Sequence, residues 1–267
     1  MIKYLSMIGH SVTYLPFSLS RSFKNLIVNQ VSDLDKLNVV HVAGTKGKGT
    51  TCAYVDSILA QYRKKYNFPK KVGLYTSPHL VDVRERIRIN STPISPEMFA
   101  KYFFEVWDLL TMKYKLATLR GELKDLPVDE KPGYFKFLTL MSFHVFLQEG
   151  INVAIYETGI GGKFDSTNIV EHPACTGITK LDLDHTFTLG ETIDEIASQK
   201  AGIQKTGSPS FYVNQAPHAT ASEVIKQRAK ELNVNLTCVA QNNHFSSRRI
   251  DDVNIKPNIH TQRYVVV

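Results

Sequence analysis

Short, nearly continuous apolar runs recur along this chain with helical patterns between them, and that alternation constrains the fold more than any other feature. The runs are LNVVHVA (37–43), VGLYT (72–76), INVAIYE (151–157), ACTGITKL (174–181), SFYV (210–213) and VNLTCV (234–239). A strand covered on one face alternates apolar with polar residues. These mostly do not, as expected of strands buried on both faces of a parallel sheet. One helical pattern follows GTKGKGTT, with Val55, Ile58, Leu59 and Tyr62 assigned to its covered side. A second starts at SPEMF, where Pro96 suits a first helical turn, and runs to about Lys115. A third covers Tyr134 to Leu147. A fourth begins at Thr192, where Thr192 and Glu195 have capping-box spacing, and a fifth spans Ala221 to Leu232. Strands alternating with helices predict an α/β fold: a mostly parallel, doubly wound sheet flanked by helices.

The expected domain runs over residues 1–240. Residues 116–133 are polar enough to predict a surface loop. Residues 241–267 have no clear period and are expected to be an irregular tail. The first 32 residues contain no Asp or Glu, but hold Lys3, Arg21, Lys24 and several serines. That composition fits a mitochondrial presequence. Leu19, Phe23, Leu26, Ile27 and Val31 fall at helical spacing, and a helix of the mature domain is the preferred alternative. No run approaches eighteen apolar residues, so no membrane span is expected.

The net charge of +7 and pI near 9.2 favour an anionic ligand, but the basic residues are scattered. The densest cluster, RKKYNFPKK (63–71), reads as a solvated helix end, so no nucleic-acid partner is expected. Three cysteines, Cys52, Cys175 and Cys238, are widely spaced and form no CxxC. That disfavours a disulfide framework or a zinc site and fits a reducing compartment, the cytoplasm first, with a mitochondrial address as the alternative.

The loop His41–Thr51, HVAGTKGKGTT, places glycines and lysines between a buried strand and a helix. Glycines let several backbone N–H groups face one anion, the helix N-terminus adds its dipole, and lysine adds a full charge. The segment Gly44, Thr45, Lys46, Gly47, Lys48, Gly49, Thr50 is therefore a candidate phosphate loop. It is shorter than G-x-x-x-x-G-K-[ST] and has Gly49 where that pattern needs Ser or Thr. A standard P-loop kinase or GTPase is disfavoured on that ground, and no NKxD guanine-reading motif occurs.

GTKGKGTT resembles the variant P-loop of the Mur ligase superfamily, in particular of folylpolyglutamate synthases. Four further segments are similar to that family in the same order: YTSPHLVDVRERIRIN (75–90), PGYFKFLTLMSFHVF (132–146), ETGIGGKFDSTNIV (157–170) and LDLDHTFTLGETIDEIASQKAGI (181–203). The resemblance covers roughly residues 35 to 215. It implies the P-loop NTPase-like central domain of Mur ligases, and an enzyme that activates a folate's terminal carboxylate with ATP as an acyl phosphate, which the amino group of L-glutamate attacks.

By that resemblance residues 44–50 bind ATP, with Lys48 on the outer phosphates and catalytic. Ser77 and Glu157 would hold Mg²⁺, and His185 a second metal, with a monovalent cation such as K⁺ as a further candidate. Lys200 matches a carbamylated catalytic lysine. It also falls at i+7 from Ile193 on the apolar stripe of its helix, where burial lowers an amine's pKa. Tyr134 and Phe135 match a segment beside the pterin, with core packing an equal alternative. Gly161 and Gly162 would let the chain approach substrate. Plainer readings also stand: Ser77 as turn initiator, Glu157 as a solvated strand end, His185 as structural and Lys200 as snorkelling at the helix edge.

Family members carry a second, glutamate-ligase domain that the last thirty residues do not resemble, so that domain is expected to be absent. Three readings follow: tetrahydrofolate:L-glutamate ligase, dihydrofolate synthase joining dihydropteroate to glutamate, or a nucleotide-binding remnant without ligase activity. Lys46 and RERIRIN favour the first. A monomer is expected.

Overall fold

The computed structural model describes residues 31–119 and 131–239. The presequence or helix expected before residue 31, and the tail expected after residue 240, lie outside these. The elements run β1 (Val40–Ala43), α1 (Lys48–Tyr66), β2 (Val72–Tyr75), β3 (Ile87–Ile89), β4 (Thr92–Pro93), α2 (Pro96–Leu119), α3 (Tyr134–Gln148), β5 (Val153–Glu157), β6 (Cys175–Ile178), α4 (Thr186–Leu189), α5 (Ile193–Ala201), β7 (Ser210–Val213), α6 (Ala219–Glu231) and β8 (Leu236–Val239).

Among the described residues one sheet holds the eight strands, in the order β4-β3-β2-β5-β1-β6-β7-β8. Strands β2, β5, β1, β6, β7 and β8 are mutually parallel, while β3 and β4 are antiparallel additions at one edge. The sequence reading missed that hairpin. Its strands are too short for a period to show, and Asn90 and Ser91 at the turn both adopt positive φ. The chain moves one way from β1 to β2 and returns the other way at β6. The crevice at the carboxyl ends of β5, β1 and β6 is therefore where an open α/β sheet places ligands.

Side-chain direction explains the two covered faces. On β5, Ile155 joins Val42, Leu74 and Cys52 beneath α1, whereas Ala154 and Tyr156 join the cluster of α2 and α3 on the other face. Ala43 and Ile178 meet α5 and α6 on that second face. Helix α3 is buried along ten consecutive residues, Phe137 to Phe146. A Cβ at Gly73 would stand 2.9 Å from the Phe146 ring, so α3 sits directly on β2.

Two expectations need correction. Ile58 is 48% exposed, and Asp56 takes the buried position on the inner face of α1. The α1 stripe therefore runs Cys52, Asp56, Leu59. Residues 116–119, expected in the loop, belong to α2, which continues to Leu119, and residues 120–130 of that expected loop lie outside the described residues. The capping box at Thr192 forms as expected, with Thr192 Oγ1 accepting from Glu195 N at 3.2 Å. No helix among the described residues is long and apolar enough to cross a membrane.

Candidate functional site: a phosphate loop beside a buried carboxylate

The loop leaves β1 and enters α1 at the carboxyl edge of the sheet. Gly47 is the N-cap of α1 in a left-handed conformation, φ 86°, which glycine adopts without steric cost. The first turn of α1 contains no acidic residue and begins with Lys48, while Arg63, Lys64 and Lys65 occupy its last turn. The basic C-terminal turn complements the helix dipole, but Lys48 adds positive charge to its positive end. An anion bound there would relieve both.

Two neighbours fix the first half of the loop. Thr45 N and Lys46 N both donate to Lys180 O at 3.0 Å. Thr45 Oγ1 donates to Asp182 O at 3.1 Å, and Lys46 Nζ meets Asp182 Oδ2 at 2.6 Å. The Lys46 charge, expected on phosphate, is thus committed to Asp182 in this structure. Gly44 lies against Thr179, whose Oγ1 would be 1.8 Å from any added Cβ. Lys200 Nζ donates to Gly44 O at 2.8 Å. Lys200 is 3% exposed, on the apolar stripe as expected. Burial first, and the Lys48 charge second, push its pKa down to about 8.

Glu157 ends β5 next to the loop. It is buried rather than a solvated strand end. Its Oε2 accepts from Ser77 N at 3.0 Å, and its carboxylate oxygens would lie 3.5 and 3.6 Å from a Cβ at Gly49. Burial raises its pKa, against the lowering effects of the Ser77 hydrogen bond and of Lys48 and Arg86. Ser77, Glu157 and the first turn of α1 therefore converge.

His185 does not join them. It caps the four-residue α4 with φ 50°, and its side chain is 48% exposed, 3.7 Å from Asp184. Among the described residues no group of three or more His, Cys, Asp and Glu side chains is gathered as a metal cage. A hydroxyl and a carboxylate are nonetheless the hard oxygen donors Mg²⁺ takes when phosphates and waters complete its shell. The Ser77–Glu157 corner fits that ion, whereas the exposed His185 gives no comparable corner.

The aromatic wall lies on the other side of β5. The Phe135 ring packs so tightly on Gly159 that an added Cβ would stand 2.5 Å away. The Tyr134 ring lies under Arg86, 5.4 Å from ring centroid to guanidinium. Gly161 has φ +71° and lies near Leu189. Gly162 approaches α5, where a Cβ would meet Gln199 O at 2.8 Å and Lys200 Cα at 3.0 Å. The need for glycine at 162 comes from this helix contact.

The sequence reading assigned no chemistry to Arg86 or Asp165. Arg86 is buried at 8% exposure, with Nε donating to His79 Nδ1 at 2.9 Å. Glu85 shapes the intervening turn by accepting from Leu80, Val81 and Asp82 N. Asp165 anchors the chain after Glu157, its Oδ2 accepting from Gly159 N at 2.9 Å and Ile160 N at 3.1 Å. Thr167 Oγ1 donates to Asp165 Oδ1 at 2.5 Å, so its lone pair receives the Nε2 proton of His41 at 2.7 Å. Burial depresses the His41 pKa to about 3, which keeps the ring neutral. The apolar setting of His41 and the Asp-x-Thr spacing were the available signals.

A glycine–lysine loop from the central strand into a helix, with a buried carboxylate ending the next strand, defines an α/β domain of P-loop architecture. No family model matches the chain. The sequence is 53% identical over 228 residues to the folylpolyglutamate synthase of Neurospora crassa, covering 85% of this chain and 41% of the relative. The fold is similar to that of a folylpolyglutamate synthase in complex with AMPPCP and folate, with a TM-score of 0.70 at 29% identity over 89% of this chain and 53% of that one. It is also similar to Escherichia coli FolC in complex with DHPP and ADP, with a TM-score of 0.67 at 29% identity over 89% of this chain and 50% of that one. The chain is a homologue of the folylpolyglutamate synthases, and it spans about two fifths of the length of the curated relative it matches.

Proposed function

We propose that this chain carries the phosphate-binding part of a folylpolyglutamate synthase, which ligates L-glutamate to the terminal carboxylate of tetrahydrofolate at the expense of ATP. The observation that carries the reading is the convergence of Lys48, Ser77 and Glu157 on one corner, beside a loop matching the family's. A structural neighbour's complex with AMPPCP and folate supports both ligands.

A carboxylate is a poor electrophile. Transfer of the γ-phosphoryl group to a carboxylate oxygen supplies a leaving group, and the amine of glutamate then displaces phosphate to leave an amide. The protein's task is alignment and charge neutralisation. Residues 44–50 would bind ATP: Gly47, Gly49 and Thr50 would present backbone N–H groups to the phosphates and Lys48 would hold the outer ones, while Gly44, Thr45 and Lys46 would brace the loop through Lys200, Lys180 and Asp182. Ser77 Oγ and Glu157 would hold Mg²⁺, which supplies charge neutralisation on the phosphates when bound. His185 as ligand of a second cation, including K⁺, belongs to the same reading. Lys200, with its pKa near 8, has enough neutral amine at mildly alkaline pH to add CO₂, and carbamylation is proposed there. Tyr134 and Phe135 would form the pterin-side wall, with Gly161 and Gly162 shaping the loop beside it.

The domain is proposed to span residues 1–240 and to act as a monomer. Three free cysteines support a reducing compartment, with the cytoplasm proposed first and the mitochondrion as the alternative. Similarity to FolC in complex with DHPP favours a second reading, dihydrofolate synthase.

The test is incorporation of labelled glutamate with Mg²⁺-ATP, offering tetrahydrofolate and dihydropteroate separately, with Lys48→Ala as control. Incorporation into tetrahydrofolate that Lys48→Ala abolishes is expected. Incorporation only into dihydropteroate would move the assignment to the second reading. No incorporation by folded, ATP-binding protein would leave a nucleotide-binding remnant.

A further inference from the structure

Arg86 is the one buried guanidinium among the described residues, and its charge is not spent on a carboxylate. Among the described residues, its guanidinium donates from Nε to His79 Nδ1 at 2.9 Å and lies 5.4 Å from the Tyr134 ring centroid. It forms no salt bridge among the described residues, although its charge is felt at Glu157. A buried cation is costly unless it is paired. The neighbouring arginines contrast with it: Arg84 pairs with Asp82 at 2.7 Å and Arg88 Nε donates to Glu85 O at 2.9 Å, both from less buried positions.

Its placement is specific. Arg86 ends the turn between β2 and β3, and Thr76 N donates to Arg86 O at 3.2 Å. That ties it directly to the segment bearing Ser77. It rests on Tyr134, the first residue of α3, which covers one face of the sheet, whereas Lys48 opens α1 on the other. Glu157 feels both cations. The corner therefore offers two separate positive groups, Lys48 at the phosphate loop and Arg86 at the aromatic wall. His79 occupies Nε and leaves the paired Nη groups, the fork that matches two carboxylate oxygens.

We propose that Arg86 is the carboxylate-recognition residue of this site: it binds the terminal carboxylate of the folate to be activated and holds it against the outer phosphate. This rests on the folate-ligase reading above. The physical need is clear. The attacking carboxylate must approach a polyanionic phosphate and the buried Glu157, and a guanidinium on the side away from Lys48 offsets that repulsion. Stacking on Tyr134 fixes the fork without neutralising it. His79 Nδ1, accepting from Nε, orients Arg86 and leaves its Nη groups for the anion.

The test is calorimetric titration of the full chain, with Mg²⁺-ADP present, using two ligands: folate and the same molecule with its tail carboxylates converted to carboxamides. Wild type is expected to bind folate about 10- to 100-fold more tightly than the carboxamide, the range for a charge-assisted bidentate contact. Arg86→Gln is expected to abolish that preference while leaving carboxamide and ADP affinities unchanged. Arg86→Lys, which keeps the charge but not the fork, is expected to retain only part of it. Equal loss of both ligands in Arg86→Gln would make Arg86 a wall residue and overturn the proposal. So would a preference that survives in Arg86→Gln, or one undiminished in Arg86→Lys should the glutamine variant not fold. Equal wild-type binding of both ligands would overturn this proposal alone. Wild-type binding of neither, with ADP bound, would overturn the folate reading and this proposal with it.

Discussion

The Nζ of Lys200 donates to the carbonyl oxygen of Gly44 across 2.8 Å, so a side chain on α5 holds the first residue of the glycine–lysine loop. The ammonium is nearly dehydrated there, and its pKa falls from 10.5 to about 8. Between these values the unfolded chain binds more protons than the folded one, so stability rises with pH through that window. Lys200→Met removes the titrating group. Wild type is expected to gain urea resistance relative to Lys200→Met as pH rises from 7 to 10, while the variant binds ADP more weakly at every pH. Paired denaturation curves at pH 7 and 9.5 check the first statement and calorimetry the second.

His41 carries the opposite hazard at acid pH. Its ring is buried and neutral, with its pKa lowered from 6.5 to about 3 by dehydration and by Lys205. Stability attributable to it is complete above pH 6.5 and is lost as pH falls toward 3. Taken alone, His41 is expected to cost about 2 kcal/mol between pH 7 and 5. His41→Gln is expected to be less stable at pH 7 but to lose less on acidification. Urea midpoints of both proteins across that range provide the measurement.

Glu157 is held at a raised pKa mainly by burial. Replacing it with Gln removes the cost of dehydrating a carboxylate, so Glu157→Gln is expected to raise the melting temperature by a few degrees. The same change removes a proposed Mg²⁺ ligand. Affinity for ADP with Mg²⁺ is expected to fall about tenfold or more, while metal-free ADP binds as well as before or better, on the scale of one lost charge-assisted contact. Titrations with Mg²⁺ and with EDTA separate the two effects.

Two glycines in the site are required for different reasons. Gly47 has φ +86° with nothing within 4 Å of an added Cβ, so Gly47→Ala is expected to cost only backbone strain, about 1–2 kcal/mol. At Gly162 an added Cβ meets the backbone oxygen of Gln199 at 2.8 Å. Gly162→Ala must displace α5 or the loop, and overpacking of that kind costs about 1–3 kcal/mol. Since α5 carries Lys200, Gly162→Ala is also expected to weaken ADP binding, as read by denaturation and titration together.

The sheet's parallel core, the helices between its strands and the place of the glycine–lysine loop between β1 and α1 were legible in the chain. Continuous apolar runs such as INVAIYE need cover on both faces, and a glycine–lysine loop after such a run has few other uses. Lys200 was legible as buried because its helix is amphipathic and the lysine falls on the wrong stripe. These signals are local, because period, propensity and capping involve residues within a few positions of one another.

What local pattern does not contain is pairing between distant segments, and only the tertiary structure decided those features. The β3–β4 hairpin, the seat of Arg86 between His79 and Tyr134, the commitment of Lys46 to Asp182 and the chain from His41 through Thr167 to Asp165 all depend on strand order. In the sheet, β5 is inserted between β2 and β1, which brings Glu157 beside Ser77 from 80 residues away, and Lys200 reaches Gly44 from 156. A sequence specifies which side chains have chemistry to offer. Which of them share one corner, and which charge is spent on a neighbour rather than a ligand, is fixed by the packing of helices on that sheet, because burial and distance set a group's charge and partners.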